Sequence, residues 1–227
     1  MNRLVLFILV TALVAAGSVT PTTAQTPLDV RVIPRAGVMT PAGWLYEYYA
    51  HFGVDPVEWT ETAILRAPVV GLGVEVELPG TGVWLRGEAI RSIDAVSSMT
   101  HVVLREASGF DPPRVEETPY RVATSVTTLT LDLALPTQLE IGPVQPYVTA
   151  GVGGKWYGFD TDPFQELEVD VILPQPGFVG VVNVGGGAVV RLFGLDIDVQ
   201  VRDAISMYWD RQQHDVMTLI GVAWDVL

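Results

Sequence analysis

Charged side chains recur at every second position of segments that are otherwise apolar. Glu75 and Glu77 alternate with valine and leucine, and Asp196 and Asp198 alternate with leucine, isoleucine and valine. Both signs of charge occur in this pattern. A buried charge requires a partner, so we predict an ionic network in the interior of the fold. The predicted members of this network are Glu75, Glu77, Arg86, Glu88, Asp132, Lys155, Arg191, Asp196, Asp198, Arg202 and Asp225.

The histidines His51, His101 and His214 are the groups that could support nucleophilic catalysis. Ser97, Ser98 and His101 come nearest to a serine–histidine pair, which needs the hydroxyl within hydrogen-bond reach of the imidazole. On one strand, Ser97 and His101 would share a face but lie about 13 Å apart, at ~3.3 Å per residue. We therefore predict no catalytic residues.

Two further stretches could bind a ligand. The acidic stretch 160–170 offers carboxylates of the kind that hold calcium, but it lacks the EF-hand pattern and a glycine turn. It is typical of a solvated loop. The glycines Gly185, Gly186 and Gly187 are not followed by the Lys-Ser/Thr pair of a phosphate-binding loop, so they indicate close strand packing. We predict no metal and no cofactor.

The segments that carry the charges are predicted to be β-strands. From Leu129 to Leu135 a leucine occupies every second position, with Thr130, Asp132 and Ala134 between. A two-residue period indicates a strand with one apolar face. Eight such strands are predicted, at about residues 29–39, 63–78, 83–96, 120–135, 144–158, 178–193, 195–203 and 215–226.

The connections between these strands alternate in length. The long ones are predicted at 40–62, 104–119, 159–177 and 204–214, and short turns such as Pro79–Gly82 lie between them. This alternation is typical of an up-and-down barrel with its long loops at one rim. The predicted fold class is all-β: an eight-stranded antiparallel up-and-down transmembrane β-barrel.

The face opposite the leucines indicates which side meets lipid. It carries small residues, Gly71, Gly73, Gly185 and Gly187 among them, which suit the crowded interior of a narrow barrel. A strand surface in water would carry more lysine than the single Lys155. We therefore predict that the apolar faces point outward. The predicted lipid-facing residues are Leu72, Val74, Val76, Leu129, Leu131, Leu133, Ile197 and Val199.

Aromatic residues cluster where the predicted strands meet the long loops, the position of an aromatic girdle at a membrane surface. They are Trp44, Tyr46, Tyr48, Tyr49, Phe52, Trp59, Trp156, Tyr157, Phe159, Tyr208 and Trp209.

The first residues predict an export signal. Arg3 precedes an apolar run over residues 4–17, and small residues follow up to Ala24. The run is shorter than the ~20 residues that span a bilayer, which favours a cleaved signal over a membrane anchor. We predict a signal peptide at 1–24 and a β-barrel domain at 25–227.

The composition restricts the compartment and the partners. The chain has no cysteine, so it forms no disulfide, and together with the signal and the barrel pattern this suggests a Gram-negative envelope. Its net charge of −13 argues against a nucleic-acid partner, because phosphate binding needs basic patches.

The chain resembles the small outer-membrane barrels of the OmpA/OmpX type over roughly residues 29–227. The likeness is carried by the hairpin rhythm, by "YVTAGVGGKWY" at 147–157 and by the final "GVAWDVL", although Leu227 replaces the usual Phe or Trp. The resemblance implies an outer-membrane location. It also implies contact with outer-membrane lipid, insertion by the barrel assembly machinery and an unidentified partner at the external loops.

Three functions remain open from the sequence. The first is a non-enzymatic outer-membrane barrel with a structural, adhesive or small-solute-passage role, and eight strands leave no room for a large pore. The second is a periplasmic lipocalin-like barrel that encloses an apolar ligand, which requires Leu129, Leu131 and Leu133 to point inward. The third is a barrel lipid A acyl hydrolase that uses His101.

Overall fold

The computed structural model describes residues 29–52, 55–105, 114–137, 139, 141–160, 176–208 and 211–226. In these residues the chain forms β1 (Val30–Ala42), β2 (Tyr46–Phe52), β3 (Asp55–Ile64), β4 (Ala67–Leu78), β5 (Val83–Ser92), β6 (Ala95–Arg105), β7 (Arg114–Pro136), β8 (Val144–Asp160), β9 (Gly177–Leu192), β10 (Leu195–Tyr208) and β11 (Arg211–Asp225). The described residues contain no helix long and apolar enough to cross a membrane.

Eight of these strands close into a ring. Its order is β1, β4, β5, β7, β8, β9, β10 and β11, and β11 pairs back with β1. Every pairing around the ring is antiparallel. The predicted fold class, an all-β up-and-down barrel with eight strands in its ring, is confirmed.

A smaller sheet continues from one side of the ring. Strand β2 pairs with β3, β3 with β6, and β6 with residues 114–124 of β7. We call β2, β3, β6 and residues 114–124 the extension. Strand β7 belongs to both parts, because its 23 residues run through the extension and then into the ring.

Two predicted strands are each interrupted where the ring meets the extension. The segment 63–78 divides between β3 and β4 at Leu65 and Arg66, and the segment 83–96 divides between β5 and β6 at Ile93 and Asp94. At each break two successive residues are exposed, so the alternation of inward and outward side chains shifts by one position. Asp94 has φ of 47°, a left-handed conformation that aspartate tolerates better than most residues.

Strands also replace much of the predicted loop structure. The prediction of a loop at 204–214 is wrong, because β10 and β11 extend into this segment and remain paired up to Tyr208↔Arg211. The alternation of buried and exposed side chains continues there, but its polar residues, such as Gln212 and Gln213, occupy both faces and obscure the pattern in the sequence. Within 40–62 the chain forms the β2–β3 hairpin. Most of the acidic stretch 160–170 lies outside the described residues.

The opposite rim is formed by short turns. Gly80 and Gly82, between β4 and β5, both have positive φ, as do Phe193 and Gly194 between β9 and β10. Phe193 and Gly194 are successive, and two successive residues with positive φ match the twist of a two-residue β-hairpin. We call this rim the short-turn end and the opposite rim the long-loop end.

Candidate functional site

The outward faces of the ring strands are apolar. Leu129, Leu131, Leu133 and Leu135 on β7 are all exposed, Leu131 with 53% of its surface. Of the other predicted lipid-facing residues, Leu72 and Val199 are exposed, and Val74, Val76 and Ile197 are partly exposed on the same outward faces. An apolar ligand inside the barrel would require these leucines to point inward, and the structure places them on the outside.

The interior near the short-turn end contains a buried cluster of charges. Its members are Arg35, Glu75, Arg86, Glu88, Asp132, Asp198 and Arg202, each at most 4% exposed. We call these seven residues the ionic cluster. The cluster brings together six of the predicted network residues and adds Arg35, which the sequence analysis missed.

Two carboxylates link the three arginines. Glu88 Oε1 lies 2.7 Å from Arg35 Nε, and Glu88 Oε2 accepts a hydrogen bond from Arg202 Nη1 at 2.5 Å. Asp198 lies 2.5 Å from Arg35 Nη2 and 3.3 Å from Arg86 Nη2. Each arginine therefore contacts at least two carboxylates, because Arg86 also pairs with Glu75 and Arg202 with Asp132. Such a network satisfies charges that would be costly to bury singly.

Neutral side chains add hydrogen bonds to the cluster. Tyr147 donates its hydroxyl to Asp198 Oδ1 at 2.6 Å, and Asn183 donates Nδ2 to Asp132 Oδ1 at 2.7 Å. Gln200 Oε1 accepts from Arg35 at 3.2 Å. The sequence analysis missed these partners. The signal that could have found Gln200 is its place in the alternation after Asp198.

Inward-facing glycines leave room for these large side chains. A Cβ on Gly185 would lie 2.6 Å from Arg202 Cβ, and one on Gly187 would lie 2.6 Å from Cζ of Tyr147. A Cβ on Gly151 would contact Asp132. Glycine is therefore required at these positions by the close approach of a neighbouring strand and its side chain.

A second, mostly apolar layer fills the interior toward the long-loop end. It consists of Met39, Leu45, Ile64, Ala67, Val69, Ile90, Ala95, Val126, Tyr157, Val181, Ala204, Tyr208, Met217 and Leu219, all buried. We call this set the apolar layer. Lys155 lies against it and is fully buried, with Nζ 2.6 Å from Asp215 Oδ2 and 3.0 Å from Ser206 Oγ. The predicted network residue Lys155 therefore has its own partner, away from the ionic cluster.

Four predicted network residues, Glu77, Arg191, Asp196 and Asp225, lie outside the buried cluster. They occupy strand ends at the short-turn end, where solvent reaches the interior, and the side chains of Arg191 and Asp225 are 64% and 70% exposed. Arg31 pairs there with Asp225 at 2.9 Å and lies over the ring of Trp84. Asp196 pairs there with Arg191 at 3.5 Å, so these rim residues differ from the ionic cluster in depth, which alternation does not give.

The aromatic residues divide between two faces. Trp156 and Phe178 point outward, with ring centroids 4.7 Å apart, but Tyr157 and Tyr208 point inward and meet edge to face at 5.1 Å. Alternation along β8 requires Trp156 and Tyr157 to face opposite ways. Of the remaining predicted girdle residues, the side chains of Tyr46, Tyr48, Tyr49 and Phe52 and the whole of Trp209 lie outside the described part.

The serine–histidine candidates all lie on β6, within the extension. Ser97 is buried, and its hydroxyl shares a 2.7 Å hydrogen bond with Thr124 Oγ1. His214 lies elsewhere, on the outer face of β11, where Nδ1 is 2.6 Å from Asp203 Oδ2. No group of three or more potential metal ligands occurs in the part of the chain that the structure describes.

A closed antiparallel ring with an apolar exterior and a charged, filled interior defines a transmembrane β-barrel. No protein-family model and no curated protein matches the chain. Among solved structures, it is similar to the outer membrane protein OprG from Pseudomonas aeruginosa, with 12% identity and a TM-score of 0.48 over 87% of this chain and 95% of that one. It is also similar to Neisserial surface protein A, with 10% identity and a TM-score of 0.47 over 88% of this chain and 100% of that one.

At this level of similarity the relatives carry no argument about activity. The barrel assignment depends on the strand pairings of this chain, with which the predicted resemblance to small outer-membrane barrels agrees.

Proposed function

We propose that this chain is a non-enzymatic outer-membrane β-barrel whose sealed ring anchors the extension at the cell surface, where it has a structural or adhesive role. The observation that carries the proposal is the filled interior. The side chains of Arg35, Glu88 and Arg202 have no exposed surface, and the apolar layer lies above them. Among the roles predicted from the sequence, this favours anchoring over the passage of solutes.

The exterior supports a membrane location. On β4 the outward residues from Pro68 to Leu78 carry no charge, over eleven residues. A tilted strand needs about 9–11 residues to cross a bilayer. An apolar belt that surrounds the whole ring would cause association in water, whereas it suits a lipid environment.

The position of the extension supports a role outside the membrane. Residues 114–120 of β7 are exposed on most of their length and include Glu116 and Glu117. A charged, paired sheet at the long-loop end is suited to water and to contact with another molecule. An open sheet of this kind is not stable in the hydrocarbon region of a membrane.

The membrane location is tested by fractionation and by comparing unheated and boiled samples on an SDS gel. We expect the chain in the outer-membrane fraction, with a band that shifts on boiling because a closed barrel resists SDS until heated. Recovery in the periplasm without a heat shift would contradict the proposal and favour the ligand-binding alternative.

The sealed interior and the orientation need separate measurements. In planar lipid bilayers we expect no steady conductance, and stable open-channel steps would contradict the sealed ring.

Because the chain lacks cysteine, Glu117→Cys in the extension can be labelled on intact cells with a membrane-impermeant maleimide. The matched variant Pro79→Cys, at the short-turn end, should label only after the cells are permeabilised. The reverse pattern would place the extension in the periplasm.

A further inference from the structure

The break between β5 and β6 opens a gap beside β7. The pairing of β6 with β7 ends at Thr124, and the pairing of β5 with β7 begins at Thr127. Within the gap, the backbone N–H of Val126 donates to Ser92 Oγ at 2.9 Å. A cleft of about 640 Å³ opens at this gap, where the ring meets the extension. We call it the junction cleft.

Charges of both signs line the junction cleft. They belong to Arg91, Asp94 and Asp160, which are all exposed. Within the described part of the chain, none of these three side chains forms a hydrogen bond or an ion pair. Their donors and acceptors are therefore available to a ligand.

Ser92 provides a hydroxyl group at the base of the cleft, where the residue is only 6% exposed. Its oxygen already accepts from Val126, so the hydroxyl is left to donate its proton, and no acceptor for that proton lies among the described residues. The neighbouring Thr124 hydroxyl, in contrast, is occupied, because it donates to the carbonyl oxygen of Val122 at 2.9 Å. The base of the cleft therefore offers a free donor.

Apolar side chains form another part of the wall. Val70 and Ile93 line the cleft and are exposed. Phe159 also lines it, partly exposed, and its ring stacks on that of Tyr157 with centroids 6.4 Å apart. The cleft therefore combines free donors and acceptors with apolar surface, a combination that is typical of ligand sites.

The chemistry of the cleft selects among classes of ligand. Its two carboxylates repel an anion, Arg91 repels a simple cation, and an apolar ligand would leave the polar groups without partners. A saccharide ring carries hydroxyls that both donate and accept, and its C–H groups suit the apolar wall. We propose that the junction cleft binds an uncharged saccharide, with its three charged side chains and Ser92 as the hydrogen-bonding groups. The proposal deepens the adhesive role proposed above and rests on it for the position of the cleft outside the membrane.

The test is saccharide binding to the folded full chain by saturation-transfer NMR, in a detergent without a sugar headgroup. The probes are lactose and diacetylchitobiose, which are uncharged, and two charged forms of the same rings, lactose sulfate and deacetylated chitobiose. We expect millimolar binding of an uncharged probe, equal at low and high salt because the probe carries no charge to be screened. Binding of the charged forms alone, or of neither uncharged probe, would overturn the proposal.

Substitutions in the cleft should weaken this binding. Arg91→Ala and Asp160→Ala should each weaken it by roughly tenfold or more, the loss expected for a hydrogen bond to a charged group. Arg121→Ala and Glu61→Ala are the matched controls, because these residues do not line the cleft, and they should leave binding unchanged. Ala123→Trp places a large ring in the cleft from an exposed position and should abolish binding without removing a charge. Full binding in all three cleft variants would contradict the proposed site.

The heat shift of each sample separates the two proposals. Its absence in the original chain contradicts the barrel, and its presence without saccharide binding contradicts only the cleft. Intact cells then identify the source of the saccharide. Attachment of cells to beads coated with the bound probe means that the cleft is open to a saccharide on another surface. Binding by the purified chain without attachment of cells means that saccharides of the cell's own envelope occupy it.

Discussion

The ionic cluster and the apolar layer fill the same barrel in different ways. The cluster packs three arginines and four carboxylates against inward glycines of β8 and β9, whereas the layer packs aliphatic and aromatic side chains with one buried Lys155–Asp215 pair. Both exclude solvent. Inward glycines also approach the apolar layer, Gly37 beside Leu219 and Gly71 beside Ile90. The two regions therefore differ in their charges, and they should respond differently to substitution.

The glycines of the charged half should be the most sensitive positions. Gly185→Val would place a Cβ 2.6 Å from Arg202 Cβ and 2.8 Å from its Cα, where neither atom can move without displacing β10. We expect loss of the closed barrel, measured as absence of the heat-shifted band. The matched control is Gly180→Val on the outward face of the same strand, because a Cβ there meets no atom within 4 Å. A normal heat shift in Gly185→Val would show that the two strands can separate.

The charge network should be the next most sensitive feature. Glu88→Gln removes the carboxylate that joins Arg35 to Arg202 and leaves both cations short of a partner. Breaking a buried pair in this way costs about 3–5 kcal/mol of unfolding free energy, measurable by urea titration in lipid vesicles. The rim variant Asp225→Asn serves as control and should cost at most ~1 kcal/mol, since its side chain is exposed. Equal costs would mean that the cluster is hydrated.

The sequence predicted the features of the barrel interior that are local to one strand, but not those that depend on pairing between distant strands. The two-residue period correctly gave the faces of Leu131 and Asp132, since alternation is a local property of a strand. It missed Arg35, because Pro34 made the first strand irregular. It also missed the breaks at Leu65 and Ile93, because one inserted residue changes the alternation without leaving a clear local signal. The partners within the cluster depend on register between distant strands, which no local pattern contains.

The single Lys155–Asp215 pair beside the apolar layer can be compared directly with the ionic cluster. Lys155→Met should cost about 3 kcal/mol or more, because it leaves Asp215 buried without its cation. The double variant Lys155→Met/Asp215→Leu should recover most of that loss, since apolar groups of similar size can replace a buried pair at little cost. The measurement is again the unfolding free energy in lipid vesicles.

The matching double variant in the ionic cluster, Glu88→Leu/Arg202→Met, should not recover. Arg35 and Asp132 would each lose a partner there, whereas Lys155 and Asp215 form a pair with few other charges. Recovery in both halves would contradict the idea that the cluster acts as one network.

The smallest expected difference concerns two buried tyrosine hydroxyls, one in each half. Tyr147→Phe removes a 2.6 Å hydrogen bond to the Asp198 carboxylate, and hydrogen bonds to charged groups contribute about 1.5–3 kcal/mol. Tyr157→Phe removes only a 3.4 Å contact with the Ser206 hydroxyl, so we expect a loss of at most ~1 kcal/mol. The ring stays in place in both variants, and the unfolding free energy therefore reports the hydroxyl alone. If Tyr157→Phe proved the more destabilising, stability would depend more on the polar contacts of the apolar half than on the ionic cluster, and the contrast between the two halves would be reversed.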